Sequence, residues 1–244
     1  TVRNSEVSHN HANGLWADES VYDMVFVGNT MVGNDQAGIE VEISAKAIIA
    51  NNVSTGNRMG LFVFDSGDLK IYNNYLGRNS FMGILMSQDQ RRQADSSFAG
   101  HDPRRPIPDS TVPWLLQNIE IKNNVLGGTG QLFQVYALDK ATNIPASEMN
   151  ITIDGNLFGE RVPGVPPTMV ALGGSDNVTL YRYQTPEELA AARNPSWRNA
   201  TAPADYTQSQ MLQAARESTV GAALPADVAG AIGQPTGVTQ VGPF

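Results

Sequence analysis

VFVGNTMVGNDQAGIEVE (residues 25–42), IIANNVSTGNRMGLFVF (48–64) and LKIYNNYLGRNSFMGILMS (69–87) are three copies of one pattern. Asn29, Asn52 and Asn74 fall in register, and Ser5 holds the same place in an earlier copy, at intervals of 24, 23 and 22 residues. Five positions further on stand Asn10, Asn34, Asn57 and Asn79, and a glycine follows each: Gly14, Gly38, Gly60 and Gly83. Each copy holds two short alternating runs between Asn/Gly turns, which is the period of strands rather than helices. A fixed period of this length is the mark of a solenoid. A β-sandwich would give neither the period nor an in-register Asn column. The fold class expected is all-β, a parallel β-helix whose rungs lie ~4.8 Å apart, so that equivalent residues form ladders. Asn suits such ladders because it tolerates left-handed turns and its amide can bond the Asn above and below. Glycine at the second corner is expected to serve a positive φ. The residues after it, Leu15/Ala17, Ile39/Val41, Leu61/Val63 and Ile84/Met86, are apolar in every copy and are predicted to point inward.

Working outward, an earlier copy covers residues 2–18, later ones cover 119–135 and 151–160, and a last strand-like fragment is VTLY at 178–181. The interval from Asn74 to Asn124 is 50 residues, which leaves an insertion loop at 88–117; the next interval, to Asn156, is 32. Long loops on compact folds often carry function. After Tyr183 the pattern changes. TPEELAAAR (185–193) offers Thr185 as N-cap, Pro186 at the first helical position and Glu188 to complete a capping box. QSQMLQAARES (208–218) and PADVAGAIG (225–233) read as two more short helices. The expected organisation is coils over 1–183 and a helical tail over 184–244 that caps the open end of the solenoid. Thr1 lies inside a rung, so a preceding β-helix segment, or another chain covering that end, is expected as a partner.

Composition narrows the partners. With 16% charged residues, 23 glycines and a net charge of −8, the chain is not built for nucleic acid or an anionic membrane, which need clustered Lys and Arg. A strongly anionic polymer is a harder ligand for the same reason. There is no cysteine, so disulfides are excluded. No stretch approaches the ~20 apolar residues of a membrane span. Asn52, Asn150, Asn177 and Asn199 begin N-x-Ser/Thr triplets, which an Asn ladder generates by chance.

NGLW (13–16), GIEVEIS (38–44), the NN-x-x-x-x-N elements (51–57 and 73–79) and the tail ADYTQSQMLQAARESTVGAALPADVAGAIG (204–233) resemble secreted bacterial right-handed parallel β-helix proteins. More broadly the coils resemble the repeats of carbohydrate-binding proteins and sugar hydrolases. The resemblance covers nearly the whole chain. It implies a right-handed solenoid and, as a family tendency, extracellular contact with polysaccharide.

Alternation after the corner glycine puts Trp16, Glu40, Phe62 and Leu85 outward in one ladder, with Asp18, Glu42, Phe64 and Ser87 beside it. Glu40 and Glu42 are two apart on one strand, so their backbones are roughly 6–7 Å apart on one face. Carboxylates beside aromatic rings are the composition of a sugar site: rings pack on pyranose faces, and paired acids can serve as acid and base. Crowded like charges raise the pKa of one member. The candidate catalytic residues are therefore Asp18, Glu40, Glu42 and, at the adjacent corner, His9; the candidate substrate-binding residues are Trp16, Phe62 and Phe64. Solvated strand residues are the ordinary alternative for the acids. Trp16 is the more informative residue, since an outward Trp has a cost unless something covers it. His9 and His11 lack a third ligand at zinc spacing, so no transition-metal site is expected. A Ca²⁺ site through the oxygens of Asp18, Glu40 and Glu42 is the one cofactor expectation. Arg91, Arg92, His101, Asp102, Arg104 and Arg105 form the local basic patch, and Arg104 and Arg105 are the candidates to bind a uronate if the reaction is a lyase. The motifs of polygalacturonase-like hydrolases and alginate epimerases do not occur. The reading is an extracellular polysaccharide hydrolase or lyase, with a non-catalytic binding, adhesive or structural module as the alternative.

Overall fold

The computed structural model describes residues 1–91, 113–128, 132–141 and 143–244. Three parallel walls close around one core. The first wall holds Val2–Arg3, Tyr22–Val27, Ala45–Ala50, Gly67–Tyr72, Ile119–Lys122 and Ile151–Asp154. The second holds Glu6–Ser8, Thr30–Val32 and Val53–Thr55, is carried on by bridges at Tyr75, and continues through Val125–Leu126, Leu157–Gly159 and Ala200–Ala202. The third holds Leu15–Ala17, Ala37–Glu42, Met59–Phe64, Met82–Gln88, Phe133–Asp139 and Val170–Gly173, closed by the antiparallel Leu180–Tyr183.

The Asn columns are ladders in fact. Asn29, Asn52, Asn74, Asn124 and Asn156 each donate their side-chain amide to the Oδ1 of the next, ending at Asn199, at 2.9–3.1 Å. Each Oδ1 also accepts the preceding ladder member's backbone N–H, as Asn74 does from Asn52 at 3.0 Å. Asn10, Asn34, Asn57 and Asn79 repeat this at the second corner. Buried amides thus keep partners where no water reaches, which is the condition for burying them at all.

Conformation is divided between neighbours. The left-handed turn before the first ladder is taken by Asn51, Asn73 and Asn123 (φ 52° to 59°), so the first Asn of each pair turns the chain and the second bonds the coils. The glycine column corrects an expectation. Gly14, Gly38 and Gly60 are not left-handed; they are glycine because coils approach too closely for a side chain. A Cβ on Gly60 would stand 2.6 Å from the carbonyl oxygen of Gly83. The positive φ at that corner belongs instead to His9, Gly33, Gly56 and Arg78 (56° to 68°).

Inside, Leu15, Ile39, Leu61, Ile84, Val135 and Val170 lie in one register, and from Ile39 on they are wholly buried. Each such side chain contributes about 1.5–3 kcal/mol by leaving water.

The tail divides its work. Helix α1 (Pro186–Arg193) is capped by Thr185 as its sequence indicates, while Glu188 reaches one residue further back, to the N–H of Gln184 at 2.7 Å. Leu189 joins the main core, so α1 closes the far end. Helix α2 (Gln208–Glu217) packs Met211 and Ala215 on Tyr75, Val125 and Leu157 of the second wall. Helix α3 (Ala226–Ile232) packs Val228 and Ala229 on Val27, Ala50 and Tyr72 of the first. These two helices cover walls rather than the end, because the walls present apolar side chains outward there. The turn asparagines dock this strap: Asn123 bonds Ala222, Asn73 donates to the carbonyls of Gln240 and Gly242, and Asn51 accepts from Phe244. Ala200–Ala202, within 184–244, adds a parallel rung, and the fragment 178–181 enters the closing hairpin rather than a coil.

Candidate functional site

Wall three carries the expected stripe. Trp16, Glu40, Phe62, Leu85 and Tyr136 are paired in register across successive strands, and Glu42, Phe64, Ser87 and Leu138 form the adjacent column. Trp16 is 57% exposed, while Glu40 beside it has sunk to 8%. Asn13, one coil before, donates its amide hydrogen to Oε2 of Glu40. Asp18 follows Trp16 at the strand end, close enough to Glu42 for the two charges to repel.

The electrostatics follow from burial and crowding. Burial, then the Glu42 charge, pushes the Glu40 carboxyl up to about 7, against the pull of the Asn13 amide. The same two causes push Asp18 up to about 6. Asp65, at the following corner and fully buried, is pushed up to about 8 by burial, which the N–H of Asp89 and the Arg91 charge offset only in part.

Among the described residues Arg91 is the cation that meets these acids, and the sequence marks it only as part of a loop patch. Its guanidinium meets Glu42 at 3.1 Å, Asp65 at 3.4 Å and Asp89 at 3.1 Å. One Arg shared among three carboxylates explains why Asp65 gains so little from it. Against its partial burial, the hydrogen bonds of Arg91 hold Asp89 below the ordinary carboxylate range. The same guanidinium lies over the Phe64 ring, 5.0 Å from its centroid, and Phe64 stacks on Phe62 at 5.4 Å and 17°. Phe64, half-buried, thus has both Arg91 and Phe62 as ring neighbours. Trp114, on the returning limb of the loop, packs on Ile43 beside this cluster.

His9 is not brought to the acids. It stands at the corner between walls two and three, exposed, in the left-handed position that glycine takes in two of the next coils, with its ring over Gly33. His11 pairs with Asp35 at 2.9 Å on the surface. Arg92, His101, Asp102, Arg104 and Arg105 lie outside the described residues. Among the described residues no three His, Asp or Glu side chains converge to hold a metal ion, and Arg91 already occupies Glu42 of the Asp18–Glu40–Glu42 set. Among them, too, no helix is long and apolar enough to cross a membrane.

A comparison with protein families matches residues 1–162 to the right-handed beta helix region, which is 162 of 244 residues. The chain belongs to the right-handed β-helix family. No curated protein and no solved structure matches this β-helix. Membership fixes the hand of the coil. The fold is shared by polysaccharide-active enzymes and others, so the chemistry of this β-helix has to be argued from its own wall.

Proposed function

We propose that this β-helix binds a polysaccharide along wall three and cleaves it by general acid catalysis, with Glu40 as the acid. The observation that carries the reading is the placement of Glu40: in register between Trp16 and Phe62, nearly buried, and pushed up to about 7. An acid that is still partly protonated at neutral pH beside a carboxylate paired with an Arg is the arrangement in which two carboxyls take different roles. Trp16 offers the ring on which a sugar packs. Glu42 and Asp18 supply negative charge near a developing oxocarbenium ion. A hydrolase fits the described residues better than a lyase, since Arg91 is fully engaged by carboxylates and a uronate acid group would meet Asp18 and Glu40. Such a protein works where polysaccharide is met, outside the cell or on its surface, and a preceding coil or a second chain on the first rung would extend the same wall.

One observation favours the non-catalytic alternative: Glu42 is tied to Arg91 and not free to act as nucleophile or base. A reducing-end assay on mixed plant, algal and bacterial polysaccharides separates the two. Wild type is expected to release new ends from at least one polymer, with Glu40→Gln reducing the rate by about 10²–10⁴-fold while still binding. Binding without product at any pH, unchanged in Glu40→Gln, would leave the module reading in its place.

A further inference from the structure

Two columns on wall three are apolar in the later coils and each is broken once. The outward column reads Trp16, Glu40, Phe62, Leu85, Tyr136, with Glu40 as the break. The column two residues before the inward leucines reads Ala37, Met59, Met82, Phe133, and its first member by the same register is Asn13. The two breaks touch: Asn13 Nδ2 donates to Glu40 Oε2. The orientation of the amide is fixed independently, because Asn13 Oδ1 accepts the backbone N–H of Ala37 at 2.9 Å. Only the donor end can face Glu40.

We propose that Asn13 is the positioning residue of Glu40, occupying Oε2 as a fixed acceptor so that Oε1 is the oxygen that carries and releases the proton. The inference rests on the reading of Glu40 as the acid, although its structural half does not depend on turnover. In the acid form, a proton on Oε2 would face the N–H of Asn13, so it settles on Oε1. In the ionised form the same donor stabilises the charge, countering burial. The titratable groups that raise Glu40 are Glu42 on its own strand and Asp18 on the coil before; the strands on either side present the uncharged Trp16 and Phe62. Losing the amide leaves those influences unopposed.

The test is a carboxyl-carbon NMR titration of the whole chain, with the Glu40 signal assigned through Glu40→Gln. In Asn13→Leu the Glu40 midpoint is expected to rise by roughly one pH unit. Asn13→Asp keeps an acceptor for Ala37 N–H, guarding against a variant that fails to fold, and is expected to raise it further. An unchanged midpoint in a folded variant overturns the proposal. On a cleaved polymer, the alkaline limb of the rate should move up with the midpoint and kcat should fall while KM holds. A shifted midpoint in the Asn13 variants, together with a wild-type chain that cleaves nothing, retains Asn13 as Glu40's partner and rejects the hydrolase.

Discussion

Asp18, Glu40 and Asp65 all hold protons more tightly in the folded chain than a free carboxyl does. Between the ordinary carboxylate range and about pH 8, the native state therefore binds more protons than the unfolded one, and stability falls as pH rises. The melting temperature is expected to decline from pH 5 to pH 8. Asp65→Asn should flatten that decline, because the Asp65 carboxyl is fully buried; an equally steep profile in the variant would contradict the assignment. Trp16 makes a second prediction at this scale. With more than half its surface exposed, Trp16→Ala should leave the melting temperature within a degree or two while weakening glycan retention in affinity electrophoresis about tenfold. Acid and ring were legible in sequence because alternation after the corner glycine fixes what faces outward. Asn13 was not, since its significance lies in a partner 27 residues away that only the register reveals. Arg91 was hidden for a related reason: it sits at the start of a loop, and sequence alone does not say which coil that loop folds back on.

The ladders and close coil contacts set the energetics of each element. The Asn74 side chain makes four buried hydrogen bonds, with Asn52, Ile49 and Asn124. Asn74→Ala strands those partners and should cost about 3–5 kcal/mol in urea unfolding, whereas Asn10→Ala at the exposed first rung should cost under ~1 kcal/mol. Equal losses would mean that the ladder is not what holds the coils. Gly60→Ala should also destabilise, by about 1–3 kcal/mol, through the contact with Gly83 rather than through backbone strain. Asn and Gly spacing was readable because stacking repeats the same demand in each coil. What the glycines answer was misread, since a sequence shows that a side chain is missing but not whether φ or space forbids it.

At the scale of the whole molecule, the tail is a strap as much as a lid. Outward Val27, Ala50, Tyr72 and Tyr75 are apolar because α2 and α3 lie on them. Val228→Asp should lift α3 from wall one, seen as fast hydrogen exchange across Ala226–Ile232 and dye binding by the bared wall, with the coils still folded. The three helices were legible in sequence, α1 from its Thr185 cap, whereas α3 has no side-chain cap. Their docking was not, for nothing in a short amphipathic segment names the wall it covers, and Asn199 could not be read as a ladder member because 43 residues separate it from Asn156. Among the described residues no helix covers the third wall, and its first three rungs carry the acids and the exposed Trp. Hydrogen exchange with and without a bound polysaccharide tests that assignment most directly. Protection is expected to be confined to Leu15–Ala17, Ala37–Glu42 and Met59–Phe64. Protection on walls one or two, or beneath the helical tail, with wall three unchanged, would contradict it.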